Sequence, residues 1–327
     1  MLSLAIVVPC FNEEAVLPST MEQLLAVLEQ IQSDDNEISG KLYFVDDGSR
    51  DRTWELVSTA AARDKRICGV RLSRNHGHQR ALLAGLLSVD ADIVISIDAD
   101  LQDDLDVIGR MVAAYREGND VVYGVRSERD SDSFAKRVSA VAYYRLLKLM
   151  GIEVVHNHAD FRLLSRRALN TLREYREVNL FLRGVIPTIG FPSTQIQYRR
   201  KTRDAGRSKY TMRRMLSLAV HGVTSFSALP LRMIALLGIV VSFGTLLLSG
   251  WVLWTRLTND AAVPGWASSV LPIYLLGGIQ LLGIGVVGEY VGKIYLETKR
   301  RPRFIIQATV GEGIRYDRRH ADRYSHS

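Results

Sequence analysis

The sequence predicts an α/β domain on a mainly parallel sheet, followed by helices that belong in a membrane. Three observations carry this. From Leu4 to Val125, short β-branched runs alternate with amphipathic stretches, the pattern of repeated βα units with helices on both sheet faces. Asn12-Glu13-Glu14, Asp46-Asp47-Gly48 and Asp98-Ala99-Asp100 fall at the carboxyl ends of those runs, where such sheets bind ligands. Residues 233–255 and 261–288, runs of 23 and 28, carry no charged side chain. Each exceeds the ~20 residues a helix needs to cross a bilayer.

The elements follow in order. Leu4–Pro9 reads as a strand, not a signal peptide, because the apolar stretch is short and lacks a basic flank. Glu14–Gln32 places Val16, Met21, Leu24, Leu25, Leu28 and Ile31 at helical spacing. Lys41–Asp46 is the second strand, Thr53–Arg63 a helix and Ile67–Leu72 the third strand. His78–Val89 is a helix, Asp92–Asp98 a strand, Leu105–Arg116 a helix and Asp120–Val125 a strand. Beyond Arg126 the pattern loosens. Phe134–Met150 reads as an amphipathic helix, of the catalytic domain or of the membrane interface. Thr211–Ser227, with Met212, Met215, Leu216, Ala219, Val220 and Val223 apolar, runs into the first span and reads as interfacial. The expected organisation is a catalytic domain over 1–210, a juxtamembrane helix over 211–231, two spans over 232–290 and a basic tail over 291–327.

Composition excludes several classes. With 47 % hydrophobic and 24 % charged residues in 327, the chain is neither disordered nor low-complexity. Net charge is +7, of which Val291–Ser327 supplies +5 from nine Lys/Arg and four Asp/Glu. That surplus follows an apolar run and suits anionic head groups, so nucleic acid is not an expected partner. The link between the runs holds one basic residue, Arg256, whereas Arg213, Arg214, Arg232, Lys293, Lys299, Arg300, Arg301 and Arg303 flank them. The positive-inside rule then places both termini and the catalytic domain in the cytoplasm. Cys10 and Cys68 have no metal-ligand spacing, and His156 and His158 lack the further ligands zinc needs.

The motifs select the chemistry. No Gly-x-Gly-x-x-Gly follows the first strand and no phosphate-binding Gly-Lys-Ser/Thr loop exists, which disfavours hydride transfer and ATP hydrolysis. Asp98-x-Asp100 closes an apolar strand, and two carboxylates there do not easily stay ionised without a cation. Mg²⁺ or Mn²⁺ is held by one or two carboxylates plus substrate phosphates. Solvated loop acids would show the same spacing; Asp46, Asp47 and Gln102 tilt the reading towards a metal–diphosphate site. Arg126, Arg129 and Arg137, and the cluster from Arg199 to Lys209, offer guanidinium and ammonium groups to a phosphate-bearing lipid.

VVPCFNEE (Val7–Glu14), VDDGSRDRT (Val45–Thr53), SRNHGHQRALLAG (Ser73–Gly85) and DADLQDD (Asp98–Asp104), in that order, resemble family 2 glycosyltransferases of the GT-A fold. The likeness is nearest to polyprenyl-phosphate glycosyltransferases, the group that includes dolichyl-phosphate mannose synthase. ADFRLLSRRAL (Ala159–Leu169), NLFLRG (Asn179–Gly184), TSFSALPLR (Thr224–Arg232) and the stretch Gly277–Ile306 look like GtrB-type bactoprenol glucosyltransferases.

The resemblance implies a nucleotide-sugar pocket lined by Pro9, Phe11, Glu13 and Asp46 and reaching Asp98 and Asp100. It implies Mg²⁺ or Mn²⁺ at Asp98, Asp100 and Gln102, with Asp160 and Asp100 as catalytic residues. It also implies an acceptor-phosphate site at Arg126, Arg137, Arg203, Ser208 and Lys209. His76 and His78 depart from the aromatic and Lys frequent in relatives and are expected at the pocket edge. The implied reaction moves one sugar, glucose from UDP-glucose, to undecaprenyl phosphate at the cytoplasmic face of the bacterial plasma membrane, with inversion. The implied assembly is a homo-oligomer, a tetramer in the family. UDP-4-deoxy-4-formamido-arabinose, GDP-mannose or a UDP-aminosugar remain alternative donors. A non-catalytic nucleotide-sugar-binding or lipid-flipping partner is the alternative of another class, against which the intact Asp98, Asp100 and Asp160 argue.

Overall fold

The computed structural model describes residues 1–126, 158–177, 182–198, 229–258 and 266–314. The chain divides into two units. The first holds Met1–Tyr144, Glu153–Lys209 and Pro302–Ser327; the second holds Arg145–Ile152 and Tyr210–Arg301.

In the first unit, the elements up to residue 126 are β1 (Leu2–Cys10), α1 (Leu17–Asp34), β2 (Ile38–Asp46), α2 (Thr53–Arg63), β3 (Ile67–Leu72), α3 (His78–Ser88), β4 (Ile93–Ser96), α4 (Val107–Arg116) and β5 (Val121–Arg126). They are the elements the alternation predicts, with shifted ends. The first helix starts at Leu17 rather than Glu14, because Glu13–Val16 form a turn in which the Leu17 amide bonds the Glu13 carbonyl and Pro18 occupies the first helical turn. Strand β4 stops at Ser96, two residues short of Asp98.

Three further strands and two helices follow among the described residues of the unit: β6 (His158–Ser165), α5 (Arg166–Glu174), α6 (Leu182–Thr188), β7 (Ser193–Tyr198) and β8 (Ile306–Val310). The sheet order is β7-β5-β6-β4-β1-β2-β3-β8. Neighbours among β3, β2, β1 and β4 run parallel, as do β5 and β7; β6 runs antiparallel to both β4 and β5, and β8 antiparallel to β3.

Period-2 alternation assigns the two faces. Leu4, Ile6 and Val8 of β1 join Leu24 and Leu28 of α1, Val57 of α2, and Ile108 and Met111 of α4 in one core. Val7 faces the other way, onto α3, where a Cβ on Gly85 would lie 2.4 Å from Val7 Cγ1; only glycine allows that approach. A buried leucine such as Leu24 stabilises by roughly 1.5–3 kcal/mol over leaving it exposed.

The sequence reading assigns everything after residue 290 to a basic tail. Instead Ile306–Val310 pair with β3, and the strand is held around its ends. The Ser73 amide donates to the Ile305 carbonyl (2.9 Å), Lys41 Nζ and Cys68 Sγ to the Glu312 carbonyl (3.0 and 3.2 Å), and Tyr43 OH to the Gly313 carbonyl (3.3 Å).

The second unit contains α7 (Leu229–Thr258, 30 residues) and α8 (Trp266–Thr298, 33 residues). Within α8, Ile279–Thr298 is long and apolar enough to cross a membrane by length and composition. Met233, Leu236, Ile239, Phe243 and Leu247 on α7, and Ile273, Leu281, Ile284 and Val287 on α8, are exposed. The helices expected at Phe134–Met150 and Thr211–Ser227 lie outside the described residues.

Candidate active site

The carboxyl ends of β1, β2 and β3 carry a cleft of about 380 Å³ lined by Phe11, Asn12, Gly48, Arg50, Ser73, Arg74 and Asn75. Its walls are loops cross-linked to one another. The Asn12 amide donates to Ser49 Oγ, the Glu13 amide to Thr53 Oγ1, and the Arg50 amide to Asn12 Oδ1, each at 2.9 Å. Asn12 adopts a left-handed φ of 55°, tolerated by its short polar side chain. Asp47 binds the next loop through both oxygens, accepting the His76 amide (2.7 Å) and the Gly77 amide (2.9 Å).

Phe11 lines this cleft and is exposed; Pro9, one residue before the end of β1, and Glu13, whose amide donates to Thr53 Oγ1, are not among its lining residues. Asp46 is fully buried. Its Oδ1 accepts the Ser49 amide (2.9 Å) and Oδ2 faces Arg71 Nε at 3.3 Å, so it braces the pocket from behind.

The acidic loop lies beyond β4. The Thr20 hydroxyl donates to the Ala99 carbonyl (2.8 Å) and pins the loop to α1, and Leu101 takes a left-handed φ of 44°. Burial pushes the Asp98 carboxyl up, and the Asp160, Asp103 and Asp100 charges add to this against the opposing pull of His78. Asp98 Oδ1 is a buried oxygen with no hydrogen-bond partner. The Gln102 amide donates to Asp100 Oδ1 at 3.4 Å. Among the described residues, no three His, Cys, Asp or Glu side chains converge as a ready metal cage. A buried carboxylate oxygen that makes no hydrogen bond, followed by Asp100 and Gln102, still offers the donors of a cation completed by substrate phosphates, so these residues fit Mg²⁺ or Mn²⁺.

Asp160 lies on β6 with Arg162 on the same face, while Phe161 and Leu163 point into the core. The Ser96 hydroxyl on β4 donates to the Asp160 carbonyl and fixes the strand there. Asp160 Oδ1 accepts Arg162 Nη2 at 2.6 Å and Arg183 Nε at 3.2 Å. Oδ2 accepts Gln79 Nε2 at 2.9 Å and Arg183 Nη2 at 3.2 Å, and lies 3.1 Å from His78 Nε2. Burial alone would raise this carboxyl; the His78 contact and the Arg162 and Arg183 guanidiniums outweigh it and hold it well below the usual carboxylate range. His78 Nε2 is also 3.5 Å from Asp98 Oδ1, so the half-exposed ring lies within ion-pair distance of both acids. His76 lies two residues earlier, in the loop before α3, with its amide donating to Asp47.

Arg126, at the end of β5, is committed to a local triad. Its Nη2 donates to Asp103 Oδ1 and its Nε to Tyr198 Oη, both at 3.2 Å, and Tyr198 Oη donates to Asp103 Oδ1 at 2.6 Å. Arg137, Arg203, Ser208 and Lys209 lie outside the described residues. Sequence reasoning missed Arg162, Arg183, Gln79 and the Asp103–Tyr198 pair. The available signal was the period-2 placement of Arg162 beside Asp160; Arg183 reaches the site only through the fold.

A profile described as Glycosyl transferase family 2 matches residues 5–173. The chain is a family 2 glycosyltransferase. The transferase is 48 % identical to an uncharacterized glycosyltransferase, YkoT, of Bacillus subtilis, over 93 % of this chain and 90 % of that one. It is 37 % identical to a bactoprenol glucosyl transferase of Shigella phage SfX, over 94 % of this chain and 99 % of that one. Among solved structures, the Mn²⁺ and UDP-glucose complex of Mycobacterium tuberculosis glucosyl-3-phosphoglycerate synthase superposes with a TM-score of 0.41, at 17 % identity over 67 % of this chain and 76 % of that one. That superposition is too loose to speak for the transferase's ligands.

Proposed function

We propose that the transferase moves glucose from UDP-glucose to undecaprenyl phosphate, forming a lipid-linked glucosyl phosphodiester with inversion at the anomeric carbon. The observation that carries this reading is the near end-to-end relationship with a bactoprenol glucosyl transferase. The geometry agrees with it. A cleft sized for a nucleotide opens over β1–β3, and the Asp98–Asp100 loop and the Asp160 cluster follow on the sheet.

The nucleotide part of the donor sits against Phe11, Asn12 and the Ser73–Asn75 loop. An acceptor phosphate oxygen attacks C1 of the sugar; the bond from C1 to the diphosphate oxygen breaks, and UDP leaves with the electron pair. The acceptor's second pKa is about 6, so it arrives largely as a dianion and needs placement more than deprotonation. Asp98, Asp100 and Gln102 would hold a divalent cation, which would supply charge neutralisation at the diphosphate when bound. Asp160 acts beside the reacting centre, and Arg137, Arg203, Ser208 and Lys209 complete the acceptor site with Arg126.

The reading extends to the membrane. Helices α7 and α8 expose apolar side chains around their surfaces, the habit of helices solvated by lipid. We assign both as spans, with both termini and the catalytic unit cytoplasmic, in a homo-oligomer at the bacterial plasma membrane. The test is a donor screen with purified membranes and radiolabelled nucleotide-sugars, reading lipid-linked product. UDP-glucose is expected to label undecaprenyl phosphate best; label reaching only water or protein would overturn the assignment.

A further inference from the structure

We infer that Arg183 grips the acceptor phosphate, and that Asp160 is its positioning residue rather than a proton acceptor. The inference deepens the reading above and rests on it.

The first argument is saturation. A carboxylate offers about four lone-pair sites. Asp160 has five side-chain nitrogens within hydrogen-bond distance: Arg162 Nη2, both Nε and Nη2 of Arg183, Gln79 Nε2 and His78 Nε2. A proton from the acceptor could enter only by evicting one of them.

The second argument is charge. Arg162 is 1 % exposed, and its Nε and Nη1 lack hydrogen-bond partners, so its positive charge is buried with Asp160 as its one carboxylate contact among the described residues. Arg162 therefore neutralises Asp160 from beneath. Arg183 then adds a second guanidinium to the same carboxylate and leaves the cluster cationic. Unlike Arg162, its side chain is 40 % exposed.

The third argument is placement. Arg183 sits in α6, whose Leu182, Val185 and Ile186 are buried, so the helix holds its base rigidly. Asp160 takes Nε and Nη2 in a two-point grip, which sets the plane of the guanidinium. The guanidinium also lies within electrostatic range of Asp98 and Arg126. That is the side where a sugar diphosphate and an incoming phosphate must meet. A planar, pre-oriented fork suits a phosphate dianion in a way that a lysine would not.

The experiment uses the full-length protein in lipid nanodiscs, with UDP-glucose and undecaprenyl phosphate. Arg183→Ala is expected to raise the KM for undecaprenyl phosphate by roughly tenfold or more while the donor KM moves by less than about twofold. Guanidinium ion added to the buffer is expected to restore part of the lost turnover, which a purely structural defect would not allow. Arg183→Lys keeps the charge without the fork and should rescue little. Asp160→Asn should raise the same KM, and the Asp160→Asn/Arg183→Ala double variant should be no worse than the poorer single, because both act through one contact. If Asp160→Asn loses turnover with the lipid KM unchanged, or the two effects add, Asp160 has a separate role and the inference fails. If Arg183→Ala raises the donor KM alone, the guanidinium belongs to the donor. Should Arg183→Ala not fold, as judged by UDP-glucose binding, the split between KM and turnover in Arg183→Lys and Asp160→Asn decides. Wild-type protein that makes no lipid-linked product would overturn the underlying reading, a result distinct from all of these.

Discussion

A Cβ on Gly48 would lie 2.5 Å from the carbonyl carbon of Arg74, so the loops after β2 and β3 touch backbone to backbone. Gly48 also holds φ at 69°, a conformation that L side chains rarely adopt. These two loops form facing walls of the proposed nucleotide cleft.

Gly48→Ala should therefore push the walls apart. The expected cost is roughly 1–3 kcal/mol of stability from the backbone conformation alone. Thermal unfolding and the donor KM measure it; Tm should fall and KM rise together. An unchanged Tm and KM would show that the two loops do not define the cleft.

Asp100→Asn tests the acidic loop. The variant should stay folded and membrane-inserted but lose turnover by about a hundredfold or more. Wild-type turnover should vanish with EDTA and return with Mg²⁺ or Mn²⁺, and Mn²⁺ titration followed by electron paramagnetic resonance should show weaker binding in the variant. EDTA-insensitive turnover would remove the cation from the mechanism.

Acid stability should report on Asp120. Burial alone would raise its carboxyl, but Arg167 and the Ser165 hydroxyl outweigh this and hold it below the usual range. A carboxyl depressed in the folded state stabilises the fold above its unfolded pKa, about 3.9, and loses that contribution as pH falls through the folded value. Asp120→Asn should thus lower Tm at pH 7, and the gap to wild type should narrow as pH is taken down through 4 towards 3. A gap that is constant with pH would mean the ion pair contributes nothing.

Topology is open to cysteine labelling. Cys10 and Cys68 are both buried, which keeps the background low in intact protein. Ala262→Cys, in the link between α7 and α8, should react with a membrane-impermeant maleimide only from the face opposite the catalytic unit. Labelling from the catalytic side alone would contradict two spans.

The strands that sequence patterning revealed are those whose burial is local and regular. Ile6–Val8, Leu42–Val45 and Ile93–Ile95 are apolar runs bounded by turn residues, and each became a strand. Strand β6 was legible as a motif but not as a strand, because Asp160 and Arg162 put charge where a buried strand normally shows none. Strand β7 exposes Ser193 and Gln197 along a sheet edge, and its alternation is faint. Strand β8 pairs Thr309 with Val70, a contact with no local signal in the sequence. The candidate site divides in the same way. Asp98, Asp100 and Asp160 stand out because carboxylates beside apolar runs need a reason. Arg183 does not, because what distinguishes it is Asp160, which lies 23 residues away in the chain and meets it only after folding.

The pairing of β8 with β3 also orders events in time. A ribosome delivers Ile306–Val310 only after the whole of α7 and α8 has been made. Until then β3 presents an open edge, the kind of surface that invites pairing with a foreign strand. Over the same interval the Ser73 amide, at the rim of the nucleotide cleft, waits for the Ile305 carbonyl. Nascent chains stalled before residue 305 should therefore be incomplete at the donor loop, and synthesis of the last apolar helix precedes the closing of the sheet that serves it.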